Sequence, residues 1–207
     1  MTVFQRFRRE QEGAVMVEMA IAMTLLLTLM LGFVDFGYAF WQWNAANKAV
    51  QVGARMTSIS TPVVSGLATV TDTAPSPEQI GGPIPTGTYG PYVCTGTGGT
   101  GTACLNGNGE FDRIFYGDDG VCGAGTGRPG MCDLFPRLQP ANVRITYTSS
   151  GLGYWTRPGG PVPTITVSLE GLTFQFFFLG GLLGFNNINM PSMLSTVTGE
   201  DMRSSYP

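Results

Sequence analysis

The fold of this chain is decided by the stretch Ala14–Val34, which reads AVMVEMAIAMTLLLTLMLGFV. It carries one charge, Glu18, and its other polar side chains, Thr24 and Thr28, can be satisfied within a helix. At ~1.5 Å per residue such a helix covers about 31 Å, which matches a bilayer core of ~30 Å. The stretch therefore predicts a transmembrane helix. The alternatives are a core helix, usually shorter and polar on one side, and a secretory signal, whose apolar part is shorter.

The charges that flank this stretch predict its orientation. Arg6, Arg8 and Arg9 precede it, and no basic residue follows until Lys48. An excess of arginine marks the cytoplasmic end of a membrane helix. We therefore expect a single-pass protein of the inner membrane, with a cytoplasmic N-terminus and a C-terminal domain in the periplasm.

The composition excludes several classes of function. The chain of 207 residues has no histidine, which rules out Ser-His-Asp and Cys-His catalysis and histidine metal ligation. A net charge of −3 argues against nucleic acid as a partner. Lys48 is the only lysine, which disfavours an anchored hydrolase. We predict no catalytic residue, no metal site and no cofactor.

The glycine before the apolar stretch and the acid within it form a recognisable pattern. An acidic group in a membrane span costs several kcal/mol unless it is paired or close to the interface. Gly13, Ala14 and Glu18, behind a basic leader, resemble a type IV prepilin signal. The resemblance implies that a prepilin peptidase cuts between Gly13 and Ala14, and that Glu18 neutralises the new ammonium of a neighbouring subunit. The alternative is an ordinary anchor with an isolated glutamate.

Beyond the apolar stretch the pattern becomes amphipathic. Apolar residues recur at helical spacing, and no proline interrupts before Pro62, which predicts one helix from Ala14 to about Thr57. We expect the outer domain to bury this stripe; its members are Phe33, Phe36, Phe40, Trp43, Val50 and Ala54. A compatible interpretation places Tyr38, Trp41 and Trp43 in the interfacial belt of aromatic residues.

A second resemblance rests on short motifs along this helix. Asp35-Phe36-Gly37, then Asn44, Ala49 and Gly53-Ala54-Arg55, resemble the TadE-like pseudopilins of tight-adherence (Tad/Flp) pili; the likeness covers residues 6–57 and, more weakly, Met202-Arg203. It implies a non-enzymatic minor pilin that helps to assemble or prime an adhesion pilus, where its outer domain would lie on the fibre surface. The implied partners are the prepilin peptidase, other pilins and pseudopilins, the inner-membrane assembly platform and membrane lipid. The alternative is a membrane-anchored, adhesin-like binding module outside a pilus.

The four cysteines predict disulfides in a region with few apolar residues. Cys94 and Cys104 are ten residues apart, and so are Cys122 and Cys132; an even number of cysteines outside the cytoplasm favours disulfides. Pairs Cys94–Cys104 and Cys122–Cys132 are preferred, and the nested pairing is the main alternative. Thr95–Thr102, almost pure Gly and Thr, predicts a flexible loop. Solvated turns are preferred to a calcium loop for the acidic stretch Asn106–Asp119.

The last third alternates between apolar and polar residues. Residues 143–148 and 164–169 predict half-buried strands, and Ser195–Met202 predicts a third. Leu172–Phe185 is apolar but too short and rich in glycine to span a bilayer; core packing is the first interpretation, and a membrane-facing or subunit-facing patch is the alternative.

Together these patterns predict an α+β protein with a long N-terminal helix and a small antiparallel β domain. The expected parts are a leader (1–13), a transmembrane helix (14–34), an amphipathic extension (35–58), a disulfide-bonded Gly/Thr/Pro-rich loop region (59–141) and antiparallel strands (142–207).

Overall fold

The computed structural model describes residues 11–64, 67, 79, 81–96, 98–100, 109–123, 125–155, 161–184, 188–199 and 202. The chain divides into two compact units. The first unit consists of Met1–Trp41 and Phe174–Ile188, and we call the latter stretch the Phe-rich segment. The second unit consists of Gln42–Thr173 and Asn189–Pro207. The predicted α+β class is confirmed.

A single helix, α1, runs from Gln11 to Ile59. The prediction of one long helix is confirmed, with ends that lie a few residues outside the expected ones. In its first half almost every side chain is exposed, and the helix is long and apolar enough to cross a membrane. The hydroxyls of Thr24 and Thr28 donate to the carbonyls of Ala20 and Thr24 at 2.7 and 2.8 Å, which satisfies both groups within the helix.

The buried face of α1 differs from the predicted aromatic stripe. Phe33, Phe36 and Phe40 are 64–70% exposed, so the expectation that the outer domain covers them is wrong. Val50 and Ala54 are buried as predicted. The face buried in the second unit is made mainly of small and polar residues, namely Gln42, Ala45, Ala46, Ala49, Val50, Gly53, Ala54, Met56 and Thr57. Small side chains let neighbouring elements approach the helix backbone closely, which bulky rings would prevent.

The second unit contains a five-stranded antiparallel sheet in the order β2-β1-β3-β4-β5. Its strands are β1 (Tyr92–Thr95), β2 (Gly98–Thr100), β3 (Val143–Thr148), β4 (Thr164–Leu169) and β5 (Met193–Thr198). The predictions for β3 and β4 are confirmed, whereas β5 begins two residues before the expected start at Ser195. Ile145 pairs with Val167 in the centre of the sheet, where both are fully buried.

The Gly/Thr-rich stretch is more ordered than its composition indicates. The prediction of a flexible loop across Thr95–Thr102 is wrong at Gly98–Thr100, because these residues form β2, with Gly99 paired to Cys94. Glycine can pair through its backbone alone, so a strand of this kind leaves no pattern of side chains. Short helices α2 (Glu110–Tyr116) and α3 (Met131–Leu134), and a 3-10 turn (Pro140–Asn142), follow in the region expected to be loops.

Disulfides and one long-range hydrogen bond connect parts of the second unit. Cys122 and Cys132 form a disulfide, which confirms that preferred pair. Cys94 in β1 is also disulfide-bonded, and its expected partner Cys104 lies outside the described residues. Tyr147 is fully buried and accepts the N–H of Val63 at 3.3 Å, just beyond the end of α1. Burial raises the pKa of the Tyr147 phenol, so the neutral hydroxyl persists far above physiological pH.

The contact of Gly53 with α3 gives a test of this packing. A Cβ at position 53 would lie 2.5 Å from the sulfur of Met131, so Gly53→Val must displace that side chain. Overpacking of this kind costs about 1–3 kcal/mol. We expect a lower unfolding temperature for Gly53→Val in the full chain in detergent micelles, followed by circular dichroism.

The matched control is Gly37→Val, because a Cβ at position 37 of the same helix meets nothing within 4 Å. This variant should unfold at the wild-type temperature or slightly above it, since valine is a better helix former than glycine. Equal unfolding temperatures for the two variants would contradict the tight packing of Gly53.

Candidate functional site

The predicted processing and assembly residues lie in the first turns of α1. Gly13, Ala14 and Glu18 are all exposed, and a Cβ at position 13 would meet nothing within 4 Å. Within the described part of the chain, Glu18 has no hydrogen-bond or ion-pair partner. The predicted leader arginines, Arg6, Arg8 and Arg9, lie outside the described residues. Glu18 is therefore an acid on an exposed apolar helix surface.

Asp35 forms the most developed polar arrangement in the first unit. Its side chain has no exposed surface, and both carboxylate oxygens accept backbone N–H groups of the Phe-rich segment. Phe177 donates to Oδ1 at 3.0 Å, and Phe178 and Leu179 donate to Oδ2 at 2.9 and 2.7 Å. Three N–H donors stabilise the ionised carboxylate, which offsets the cost of burying a charge.

These donors belong to the start of helix α4, Phe178–Leu183. The first N–H groups of a helix have no partner within the helix, and a neighbouring Ser, Thr, Asp or Asn usually accepts from them. The residue in that place is Phe177, which makes no side-chain hydrogen bond to the helix. Asp35 thus caps α4 from a position more than 140 residues earlier in the chain.

Aromatic contacts surround this cap. The ring of Phe36 meets Phe176 edge-on at 6.2 Å, and Tyr38 lies 4.8 Å from Phe177 and 5.5 Å from Trp41, all between ring centroids. Leu172 is buried, but Phe177 and Phe178 are 60% and 43% exposed. Core packing as the first interpretation of Leu172–Phe185 is therefore wrong for these two rings, which keep much of their surface exposed although Phe177 contacts Tyr38; Phe185 lies outside the described residues.

The remaining motif residues have different environments. Gly37 is exposed on α1, Ala54 is buried, and Gly53 contacts Met131 as described above. Arg55 is exposed, and its carbonyl accepts the hydroxyl of Ser58 at 2.8 Å. Asp35, Gly53 and Ala54 therefore have structural roles within the chain, while Gly37 and Arg55 present open surface.

In the described part of the acidic stretch that was compared with a calcium loop, arginine side chains pair with a carboxylate. Arg128 donates to both carboxylate oxygens of Asp118 at 3.0 and 3.2 Å, and this contact holds the pKa of Asp118 below its usual range. Arg113 lies 3.7 Å from the same carboxylate. Among the described residues, no group of three or more acidic or cysteine side chains is placed to hold a metal ion.

Sequence reasoning missed the contact between Asp35 and the Phe-rich segment. It singled out Asp35 only through a motif, since nothing local shows which distant N–H groups it accepts. The one signal available was a run of phenylalanines leading into a helix without a Ser, Thr, Asp or Asn to cap it.

Comparison with known families supports the motif interpretation. Residues 13–55 match the family model described as TadE-like protein. No curated protein and no solved structure gives a match to the chain. The match begins at Gly13 and ends at Arg55, so it includes Glu18, Asp35 and Gly53. Over residues 13–55 the chain is therefore similar to the TadE-like family that its motifs predict.

Proposed function

We propose that this protein is a minor pseudopilin of a Tad-type adhesion pilus. A prepilin peptidase cuts it between Gly13 and Ala14, and the mature chain helps to assemble or prime the fibre together with other pilins and the inner-membrane platform. The observation that carries the proposal is Glu18, an exposed acid without a partner in the described chain, five residues beyond Gly13 on an apolar helix. The protein acts as a substrate of the peptidase and not as an enzyme.

The assembly role follows from the cost of an unpaired charge. A carboxylate in an apolar medium is stable only when a cation or several donors face it. The described part of the chain supplies neither to Glu18, whereas cleavage creates an ammonium at Ala14. The ammonium of a neighbouring subunit pairs with the carboxylate of Glu18, so that each charge is compensated. This pair favours lateral association of the subunits.

The proposed location follows from charge and cysteine chemistry. α1 spans the inner membrane over residues 14–34 with its arginine-rich leader in the cytoplasm, because basic residues stay on that side. The second unit then lies in the periplasm or on the fibre. The disulfide between Cys122 and Cys132 supports this placement, since such bonds persist in oxidising compartments and are rare in the cytosol.

The first test addresses processing. Gly13→Leu should leave the precursor uncut in cells with an active prepilin peptidase, because a branched side chain replaces the glycine before the cleaved bond. N-terminal sequencing and intact mass should show wild type beginning at Ala14 and the variant retaining its leader. Gly32→Leu is the matched control, a glycine of the same helix with open space around it, and should be cut normally. Wild type that retains Met1 in such cells would refute the cleavage.

The second test addresses Glu18. Glu18→Ala should insert and be cut, because alanine lowers the cost of crossing the bilayer. It should lose association with the other pilins by orders of magnitude, since an uncompensated buried charge costs about 3–5 kcal/mol and each ~1.4 kcal/mol is tenfold. The measurement is crosslinking and co-purification from membranes.

Thr24→Ala is the control for this experiment. It removes another polar group of the same span, but one that α1 already satisfies through the carbonyl of Ala20. We expect wild-type recovery with the other pilins. Recovery of Glu18→Ala at the wild-type level would show that the glutamate is not an assembly contact.

The third test addresses the compartment. Non-reducing peptide mapping of protein from the envelope should recover Cys122 linked to Cys132 and no free thiol among the four cysteines. A sample reduced before alkylation serves as the control and should show all of them modified. Cysteines that alkylate without reduction would argue against the placement outside the cytoplasm.

A further inference from the structure

The Phe-rich segment exposes apolar side chains beside the end of the apolar stretch of α1. Phe177, Phe178 and Ile188 are 43–60% exposed, and Phe36 on the helix is exposed next to them. A pocket of about 60 Å³ opens between the two elements, and the described residues that line it are Phe36, Phe176, Leu179 and Ile188. An apolar chain fits such a pocket, whereas a polar ligand finds no partner there.

The charged side chain at this surface is Asp35, and its carboxylate is fully hydrogen-bonded. Residues 174–188 contain no Asp, Glu, Lys or Arg, and on α1 the only charged residue between Met19 and Trp41 is Asp35. Asp35 has no exposed surface and faces three N–H donors. A medium of low polarity tolerates a helix end only when its N–H groups have partners. The cap therefore suits α4 to an apolar environment.

The Phe-rich segment contacts α1 close to the end of the apolar stretch. Asp35 directly follows the apolar stretch, so the Phe-rich segment meets α1 where a membrane span of this length reaches the headgroups. Tyr38 and Trp41, which continue the aromatic cluster, are the residue types enriched at that level. The exposed rings are thus continuous with the lipid-facing surface of the helix and lie within one unit with it.

We propose that the Phe-rich segment is a second membrane contact, which inserts Phe177, Phe178 and Ile188 among the lipid chains of the leaflet at the C-terminal end of the span. The segment is too short and too rich in glycine to cross the bilayer, so it lies at the interface. Asp35 holds it there. This inference rests on the proposed insertion of α1 in the membrane and does not depend on the role in a pilus.

The test places an environment-sensitive nitrobenzoxadiazole probe on Phe177→Cys in the full chain, with one chain per phosphatidylethanolamine/phosphatidylglycerol nanodisc. Shallow spin-labelled lipid should quench the probe several-fold more strongly than aqueous iodide. The matched control is Leu152→Cys, an exposed apolar position of the second unit, where iodide should be the stronger quencher. A probe at 177 that behaves like the one at 152 would overturn the proposal.

A contact with another subunit predicts a different result. The probe at 177 would then be open to iodide in single-chain discs and shielded from both quenchers only in membranes that contain several copies or the other pilins. This outcome would also overturn the lipid contact and would assign the surface to assembly.

The role of Asp35 is tested with the same probe. Asp35→Asn keeps the size of the side chain but leaves one acceptor oxygen for three N–H groups, so the segment should detach and lipid quenching at 177 should fall several-fold. Glu18→Ala, which removes the acid within the apolar stretch of α1, should leave the quenching unchanged even if it abolishes assembly. Unchanged quenching in folded Asp35→Asn would refute the anchoring role of Asp35, and the wild-type result alone decides the lipid contact if that variant does not fold.

Discussion

A carboxylate with no exposed surface, Asp35, is the constraint on which the first unit depends. A buried charge must find donors, and α4 begins with N–H groups that its own flanking residue Phe177 does not satisfy. The carboxylate of Asp35 and the first N–H groups of α4 satisfy each other, because both oxygens of Asp35 accept hydrogen bonds from the N–H groups of residues 177–179. The position of the Phe-rich segment on α1 follows from this exchange, and so does the exposure of the rings that flank it.

The second unit depends on a different property of the same helix. Its buried face carries Ala46, Ala49, Gly53 and Ala54, whose small side chains allow close approach, and the side chain of Met131 lies where a Cβ of residue 53 would stand. Gln42 is the polar exception, and its Oε1 accepts from Arg137 at 2.7 Å. One continuous helix therefore has a mostly exposed apolar surface over its first half and a narrow packing face over its second half.

The sequence predicted those elements whose signal is local. The helix follows from an apolar run and from the absence of proline before Pro62, and β3 and β4 follow from strict alternation. β2 was missed because Gly98 and Gly99 have no side chains to form a pattern, and their pairing depends on β1. The aromatic stripe was misassigned because periodicity shows that residues share a face but not which medium that face meets. The cap by Asp35 was beyond local reasoning, since its partners lie 142–144 residues away.

The two units differ in which side chains they bury. In water the hydrophobic effect places large apolar groups inside the fold and charged groups at the surface. The second unit follows this rule, because Phe115, Ile145 and Tyr147 are fully buried. The first unit shows the opposite arrangement, because Phe33, Phe36 and Phe177 are exposed while the acid Asp35 is buried. Such an arrangement is favourable when the medium around the unit is itself apolar. Exposed rings then cost no free energy, whereas an unsatisfied charge has the highest cost.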